Sequence, residues 1–471
     1  MLNRILENDT ICALATPHGM GAIAVVRVSG PQAIEIVDAL FYRNGKPLEM
    51  SEIVSHKAYY GHLINKGELL DEVVVTFFKA PHSFTGEDSA EISVHGSLYV
   101  QQKLLQVLIA NGCRMAEAGE FTRRAFVNGK FDLAQAEAVA DLISSESEAA
   151  HRVAINQLKG GFSKELQVMR SKLLEMTSLM ELELDFSEED VEFADRSQLK
   201  ALLEETLAHV NRLKDSFRLG NAIKNGVPVV IVGQTNTGKS TLLNALLGED
   251  RAIVSDIAGT TRDTIEETLN INGTLFRFID TAGIRETDET IEKIGIERSY
   301  RKIAEATVVI GMLDATKNAE NLLLAAHEIL ERIDLEHQQL ILCINKVDTL
   351  ADQGEALLGQ LRADLYNDEI QVICLSAKHH FGLNDLYNTL KHSQPLSYPD
   401  ATLVTNVRHY EALTHANEAL LQVKQGLEMN IPTDLVSQDL REAIHYLGTI
   451  TGEITTDEVL GSIFSRFCIG K

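Results

Sequence analysis

The 471-residue chain reads as a multidomain α/β + α protein, and three observations carry that reading. Strand and helix patterns are mixed over residues 1–127. A helical pattern fills 128–222 and returns over 391–471. Between the two helical stretches lies an α/β segment, 223–390, that opens on PVVIVGQTNTGKST. One hydrophobic core does not normally extend over a chain of this length, so roughly two to four domains are expected. A nucleotide-binding domain inserted into a helical one accounts for the order of the segments.

Composition narrows the class. With 45% hydrophobic and 24% charged residues the chain is that of a globular protein. Its longest apolar runs are strand-length, short of the ~20 residues of a membrane span. The start, MLNRILENDTICALATPHG, has acidic residues early and no clean apolar core before a cleavage site, so no signal peptide is read. Cys12, Cys113, Cys343, Cys374 and Cys468 are widely spaced with no CxxC pair, which points to neither a disulfide framework nor a zinc site. A reduced, cytoplasmic protein is expected, with Cys343 and Cys374 as small core residues. The net charge of −25 argues against RNA binding over the whole surface and leaves room for a local basic patch or a basic partner.

Along the first domain, apolar and alternating runs predict strands at 10–15, 22–28, 58–64, 72–78 and 90–94, with helices at 32–40 and 98–110. Alternation such as AEISVH predicts a sheet with one face against helices. In the helical part, Leu173, Met176, Met180 and Leu184 recur as the stripe of a core-facing helix. The acidic run DFSEEDVEFAD reads as a solvated connection between helices.

The chemistry begins at Gly233. Four residues on come Gly238, Lys239 and Ser240, the phosphate-loop spacing. The glycines let backbone N–H groups crowd an anion at a helix N-terminus, with Asn236, Thr237, Gly238 and Thr241 among the expected GTP-binding residues. Lys239 would reach the outer phosphates, and Ser240 would offer magnesium a hard oxygen. DIAGTTRD supplies Thr261 as a second magnesium hydroxyl. DTAG supplies Asp280, Thr281, Ala282 and Gly283, with the Gly283 N–H free to meet a γ-phosphate. NKVD supplies Asn345, Lys346 and Asp348, whose carboxylate matches guanine's paired donors and not adenine. SAK supplies Ser376, Ala377 and Lys378. Singly each is an ordinary turn. Five in register at the ends of apolar runs describe a Ras-like P-loop GTPase domain.

Hydrolysis needs another feature, because Ile284 stands where many GTPases carry a water-positioning Gln. Arg285, Glu286, Glu289 and Glu292 are nearby alternatives. The Asn236 amide oxygen could bind a potassium ion; an ordinary turn residue tolerating unusual φ is at least an equal reading.

These residues, with TPHGMGAIAVVRVSG, SFTGEDSAEISVHG, AGEFTRRAFVNGKFDLAQAEAVADLI and the terminal GEITTDEVLGSIFSRFCIGK, closely resemble the MnmE (also called TrmE) family of tRNA-modification GTPases over the whole chain. The resemblance implies an N-terminal α+β folate-binding-like domain, a discontinuous helical domain and an inserted GTPase domain. It implies a homodimer that pairs with an MnmG-type FAD/NADH flavoprotein and modifies carbon 5 of the wobble uridine of certain tRNAs, using a one-carbon tetrahydrofolate. Mapped by motif, it places potassium at Asn236, Ser255, Ile257 and Thr260, with Ser255 and Thr260 also near GTP. Magnesium falls at Ser240 and Thr261, the water-orienting acid at Glu292, and folate at Arg27, Glu91, Lys130 and Lys471. Thr235 replaces the family's usual proline and Ser97 its second glycine in HGG, neither of them a ligand. Cys468 belongs to the tail, where a packed thiol is the commoner fate. Arg123, Arg124 and Arg152 are the local basic groups expected to help a partner hold tRNA. Two other readings share the GTPase core: a ribosome-assembly GTPase, although the acidic helical C-terminus offers no basic RNA module, and a nucleotide-switched scaffold.

Overall fold

The computed structural model describes residues 9–48, 50–185, 196–250, 267–271, 273–279, 303–352, 354–365, 370–392, 402–429, 431–465 and 467–470. The chain divides into two compact units. One comprises Met1–Ile143, Ile155–Asn211 and Glu411–Lys471, the other Ser144–Ala154 and Arg212–Tyr410.

The first unit begins with β1 (Thr10–Leu14), β2 (Ile23–Ser29), α1 (Ala33–Leu40), β3 (Phe41–Arg43), β4 (Lys46–Pro47), β5 (Lys57–Asn65), β6 (Glu68–Phe78), β7 (Ser89–His95), α2 (Leu98–Ala110) and β8 (Cys113–Met115). The strands form one eight-stranded sheet in the order β4-β3-β5-β6-β7-β2-β1-β8. Neighbours are antiparallel except β1 and β8. The five expected strands are present. β6 starts four residues before position 72, and the short β3, β4 and β8 lack the length to show a period in sequence. Val26, Val28, Val75, Phe77, Ile92 and Val94 share a core with the apolar faces of α1 and α2. The opposite parity brings Arg27, Glu91 and Thr76 into one cross-strand row.

HGS is explained by the start of α2. The Gly21 N–H donates to the Gly96 carbonyl and the Gly96 N–H to that of Ala22, and a Cβ on Gly96 would stand 2.2 Å from the Gly21 carbonyl oxygen. Ser97 occupies the α2 N-cap position at φ −72°, which any residue adopts, and its side chain makes no cap hydrogen bond. The second glycine of the pattern is therefore replaceable and the first is not.

The chain continues through α3 (Glu120–Val127), α4 (Leu133–Ile143), α5 (Glu148–Leu158), α6 (Gly161–Asp185) and α7 (Arg196–Asp215). Leu173, Met176 and Met180 are fully buried, as their spacing predicts; the Leu184 side chain lies outside the described residues. At the other end of the sequence, α13 (Val407–Glu428), α14 (Thr433–Thr451) and α15 (Asp457–Phe464) follow the elements of the second unit. α14 packs on α4 and α6, and α15 on α3. The two helical stretches thus meet in space. The tail then pairs Ile469 with Ala118.

Arg123 and Arg124 do not face solvent as the sequence reading expected. Glu120 and Arg124 are each 3% exposed and lie 3.0 Å apart. Arg124 also reaches Asp9 at 2.6 Å and Glu87 at 3.2 Å, while Arg114 binds Glu120 and Asp9 at 2.7 Å. Arg123 turns to Glu117. Burial pushes the Glu120 carboxyl up. Hydrogen bonds from Arg114, the Glu117 N–H and Arg124 outweigh that, and its pKa falls below the ordinary value.

The second unit carries α8 (Phe217–Asn225), β9 (Val227–Gly233), α9 (Lys239–Asp250), β10 (Glu267–Ile271), β11 (Thr274–Phe278), β12 (Val308–Asp314), α10 (Ala319–Leu330), β13 (Gln339–Asn345), α11 (Glu355–Leu365), β14 (Gln371–Cys374) and α12 (Leu383–His392). The six strands run in the order β10-β11-β9-β12-β13-β14. Only β10 and β11 are antiparallel to each other among these pairs. Val229, Ile231, Ile310, Ile341 and Cys343 enter one core; Val230, Val232, Val309, Leu342 and Ile344 enter another. Burial on both faces is why these strands read as unbroken apolar runs.

Glu120→Gln leaves the two guanidinia without their shared charge and should cost about 3–5 kcal/mol. Hydrogen-exchange mass spectrometry on peptides spanning 10–14 and 120–127 would read the lost protection. Because the native carboxyl is depressed, its contribution is full above the unfolded value of about 4.3 and fades as pH falls through the native one. The variant should therefore show a flatter acid dependence than the parent.

Candidate functional site: a glycine-rich loop at the sheet's carboxyl edge

β9 lies between β11 and β12, so the chain leaves it towards one side and later returns on the other. Its carboxyl end is a topological switch point, the place where an open α/β sheet leaves a crevice. Gly233 closes β9 with φ +150°, and a Cβ there would be 2.5 Å from the Met312 carbonyl oxygen. The loop reverses through Asn236 at φ +59° and Gly238 at φ +98°, and α9 begins at Lys239. Asn236 therefore has the conformation of the turn-residue reading, which leaves its side chain free for another role. The Lys239 ammonium donates to the carbonyls of Gly233, at 3.0 Å, and Gln234, at 2.8 Å. The Thr237 hydroxyl donates to the Gln234 carbonyl at 2.9 Å. Ser240 is half-buried and Thr241 exposed in the first turn of α9.

The base-recognition motifs converge on the same loop. Asn345 ends β13 with 3% exposure. Its amide donates to the Thr237 carbonyl at 2.7 Å and accepts the Ala377 N–H at 3.0 Å. Lys346, at φ +67°, donates to the Asn236 carbonyl at 2.6 Å and to the Asp314 carboxylate at 2.7 Å. The Asp348 carboxylate is one-third exposed, with the His379 ring 3.6 Å away. Ser376 is held through backbone bonds with Phe381, Ala377 is buried, and Lys378 is exposed. Asn236, Thr237, Gly238, Lys239, Asn345, Lys346 and Ser376–Lys378 thus share one crevice. It combines a cationic, N–H-rich end with a carboxylate end, which suits a purine nucleotide. Ser255, Ile257, Thr260, Thr261, Asp280, Thr281, Ala282, Gly283, Glu292 and Lys471 lie outside the described residues. Asp314 is a residue that motif reading passes over, although an acid ending an apolar strand is the same signal that selected Asp280.

A separate nook forms in the first unit. Arg27 and Glu91 stand opposite each other on β2 and β7, with Nε and Nη2 donating to the carboxylate at 3.0 and 2.8 Å. The guanidinium lies 5.1 Å from the Phe84 ring and 5.6 Å from Phe121. Its Nη1 faces the Gly470 carbonyl at 3.5 Å. Lys130 donates to the Pro81 carbonyl at 2.9 Å and packs beside Gly86.

Comparison with known proteins decides the lineage. Residues 133–468 match the model for the MnmE helical domain, and residues 10–130 that for the GTP-binding protein TrmE N-terminus. The tRNA modification GTPase MnmE of Bacteroides fragilis is 53% identical over 470 residues, 99% of this chain and all of that protein. The chain belongs to the MnmE family. MnmE of Flavobacterium johnsoniae is 50% identical over 477 residues, again 99% of this chain and all of that one. A crystal structure of a single-residue variant of Aquifex aeolicus Era bound to GDP·AlF4− is 30% identical over 41% of this chain and 66% of its own, with a TM-score of 0.28. Like other members of the MnmE family, this protein is a tRNA modification GTPase. Among the described residues, no helix is long and apolar enough to cross a membrane.

Gly238 tests the crevice. A Cβ there would sit 2.2 Å from the Asn345 amide nitrogen, on a backbone with positive φ. Gly238→Ala should weaken GTP binding at least about tenfold by displacing that amide, with melting shifted only modestly. Titration with a fluorescent GTP analogue checks it.

Proposed function

We propose that the crevice between Gly233 and Lys378 binds GTP, and that its turnover serves modification of carbon 5 of a tRNA wobble uridine with an MnmG-type FAD/NADH flavoprotein and a one-carbon tetrahydrofolate. The protein works as a cytoplasmic homodimer, with domains at 1–127, 128–222, 223–390 and 391–471. In this reading Asn345, Lys346, Asp348 and Ser376–Lys378 hold the base, and residues 236–241 hold the phosphates. Thr261, Asp280, Thr281, Ala282 and Gly283 complete the phosphate end. Ser240 and Thr261 would hold magnesium, which offsets charge on the phosphates when bound. Asn236, Ser255, Ile257 and Thr260 would hold potassium, and Glu292 would orient the attacking water. Gly238 supports joining the loop to the base motif, since a side chain there would displace the Asn345 amide that bonds the Thr237 carbonyl.

The observation that carries the folate reading is the mixed nook around Arg27. Two aromatic rings flank a guanidinium, and the Glu91 carboxylate beside it is one-third exposed. That set suits a flat heteroaromatic ring with amine donors facing an acid. Lys130 and Lys471 would meet the carboxylates of its tail. Arg27 is already paired with Glu91, so ligand binding would join an existing charge pair instead of burying a lone charge.

Two outcomes test the reading. Asp348→Asn should turn preference from GTP towards XTP, because an amide presents a donor where guanine needs an acceptor; competition binding with both nucleotides reads it. A deletion strain should lack the carbon-5 group on wobble uridines by tRNA nucleoside mass spectrometry. The parent gene should restore it, and Arg27→Ala should restore markedly less while leaving GTP affinity unchanged. Normal uridines in the deletion strain would instead favour the scaffold reading.

A further inference from the structure

Asp314 ends β12 directly beside Asn345 in the parallel register, in the middle of the sheet. Its side chain is 9% exposed, and its two oxygens serve different neighbours. Oδ1 accepts the Thr316 N–H at 3.0 Å and the Thr316 hydroxyl at 2.7 Å, closing a local turn. Oδ2 accepts the Lys346 ammonium at 2.7 Å. The turn uses only one oxygen, so the second bond is not explained by local structure. It reaches a lysine in the left-handed region, whose ammonium also binds the carbonyl of Asn236, another non-glycine residue at positive φ.

Such conformations persist when surrounding groups over-determine them. Here a short chain of charge-assisted bonds, from carboxylate to ammonium to loop carbonyl, ties the end of β12 to the phosphate loop through the base-recognition motif. Lysine is a flexible point charge with three donors and no geometry of its own. Without a fixed anion its ammonium would leave for water, and the Asn236 carbonyl would lose its donor.

We propose that Asp314 is a positioning residue for guanine nucleotides: by pinning Lys346 it holds the loop at Asn236 in the shape that receives the phosphates. This rests on the reading of 233–241 and 345–348 as the nucleotide site. It predicts that Asp314 matters to GDP and GTP alike, since the contact joins the residues read as holding the base to the loop at Asn236.

The test is a double-mutant cycle on the full chain, with dissociation constants for a methylanthraniloyl-GDP probe. Asp314→Asn keeps an oxygen for Thr316 and removes the negative charge that faces Lys346; it should weaken the probe about tenfold. Lys346→Met should weaken it at least as much. The double variant should be no weaker than Lys346→Met, because both changes cut one link. Asp314→Glu should recover part of the affinity. Thr316→Val, which removes only the turn's hydroxyl bond, should bind like the parent. Multiplying effects in the double variant, parent-like affinity in Asp314→Asn, or an equal loss in Thr316→Val would each overturn the proposal. If Asp314→Asn does not fold, Thr316→Val is compared with Lys346→Met instead, and an equal loss in those two overturns the proposal. A parent protein that ignores guanine nucleotides would overturn the site reading itself, a separate result.

Discussion

The Asn345 amide is the contact on which the candidate crevice depends. It is buried, and both ends of the amide meet backbone, one on the phosphate loop and one on the SAK turn. Three segments far apart in sequence, ending β9, β13 and β14, are thereby held at one height along the sheet. A loop bearing two residues at positive φ has little intrinsic preference for its shape. The amide supplies an external reference for it, and neighbouring Gly238 leaves room for the amide and for nothing else. Burial strengthens the effect, because an amide without partners there would be costly to desolvate.

The sheet that carries this contact was legible for a physical reason. Strands buried on both faces have no polar side, so 229–232, 308–313 and 340–344 stand out as apolar runs, the first and third followed at once by a motif. The parity that sends Val229 and Ile231 to one core and Val230 and Val232 to another follows from the period of a strand. The first unit was legible for the converse reason, since its strands alternate and α1 and α2 cover one face. The short strands at 41–43, 46–47 and 113–115 escaped because two or three residues cannot display a period.

Side-chain partners across long sequence separations were much less legible. Arg123 and Arg124 look like a basic surface pair in the run EFTRRAF, yet the acids that bury them come from positions 9, 87, 117 and 120. Asp314 shows the same blindness: nothing local to LDATKN announces that a lysine 32 positions later meets it. The tail is a third case. A short mixed C-terminal run carries no period, and the pairing of Ile469 with Ala118 and the approach of Gly470 to Arg27 reveal where it goes. Pattern reads a chain's own geometry; it does not read which distant charge completes a pair.

That blindness bears on how an acidic protein serves an RNA substrate. Phosphate contacts need solvent-facing cations in clusters, and the chain carries 68 acidic residues against 43 Lys and Arg. With the guanidinia of Arg123 and Arg124 committed to carboxylates inside the fold, two of the expected local cations are withdrawn from any RNA surface. Releasing them would take the Arg124 guanidinium from Glu120, Glu87 and Asp9 at once, a cost that weak phosphate contacts do not return. Arg152 stays exposed, but one arginine neutralises one phosphate. Within the proposed partnership the burden of holding tRNA would fall largely on the flavoprotein: a net charge of −25 disfavours bare RNA and would favour a basic protein that bridges the two.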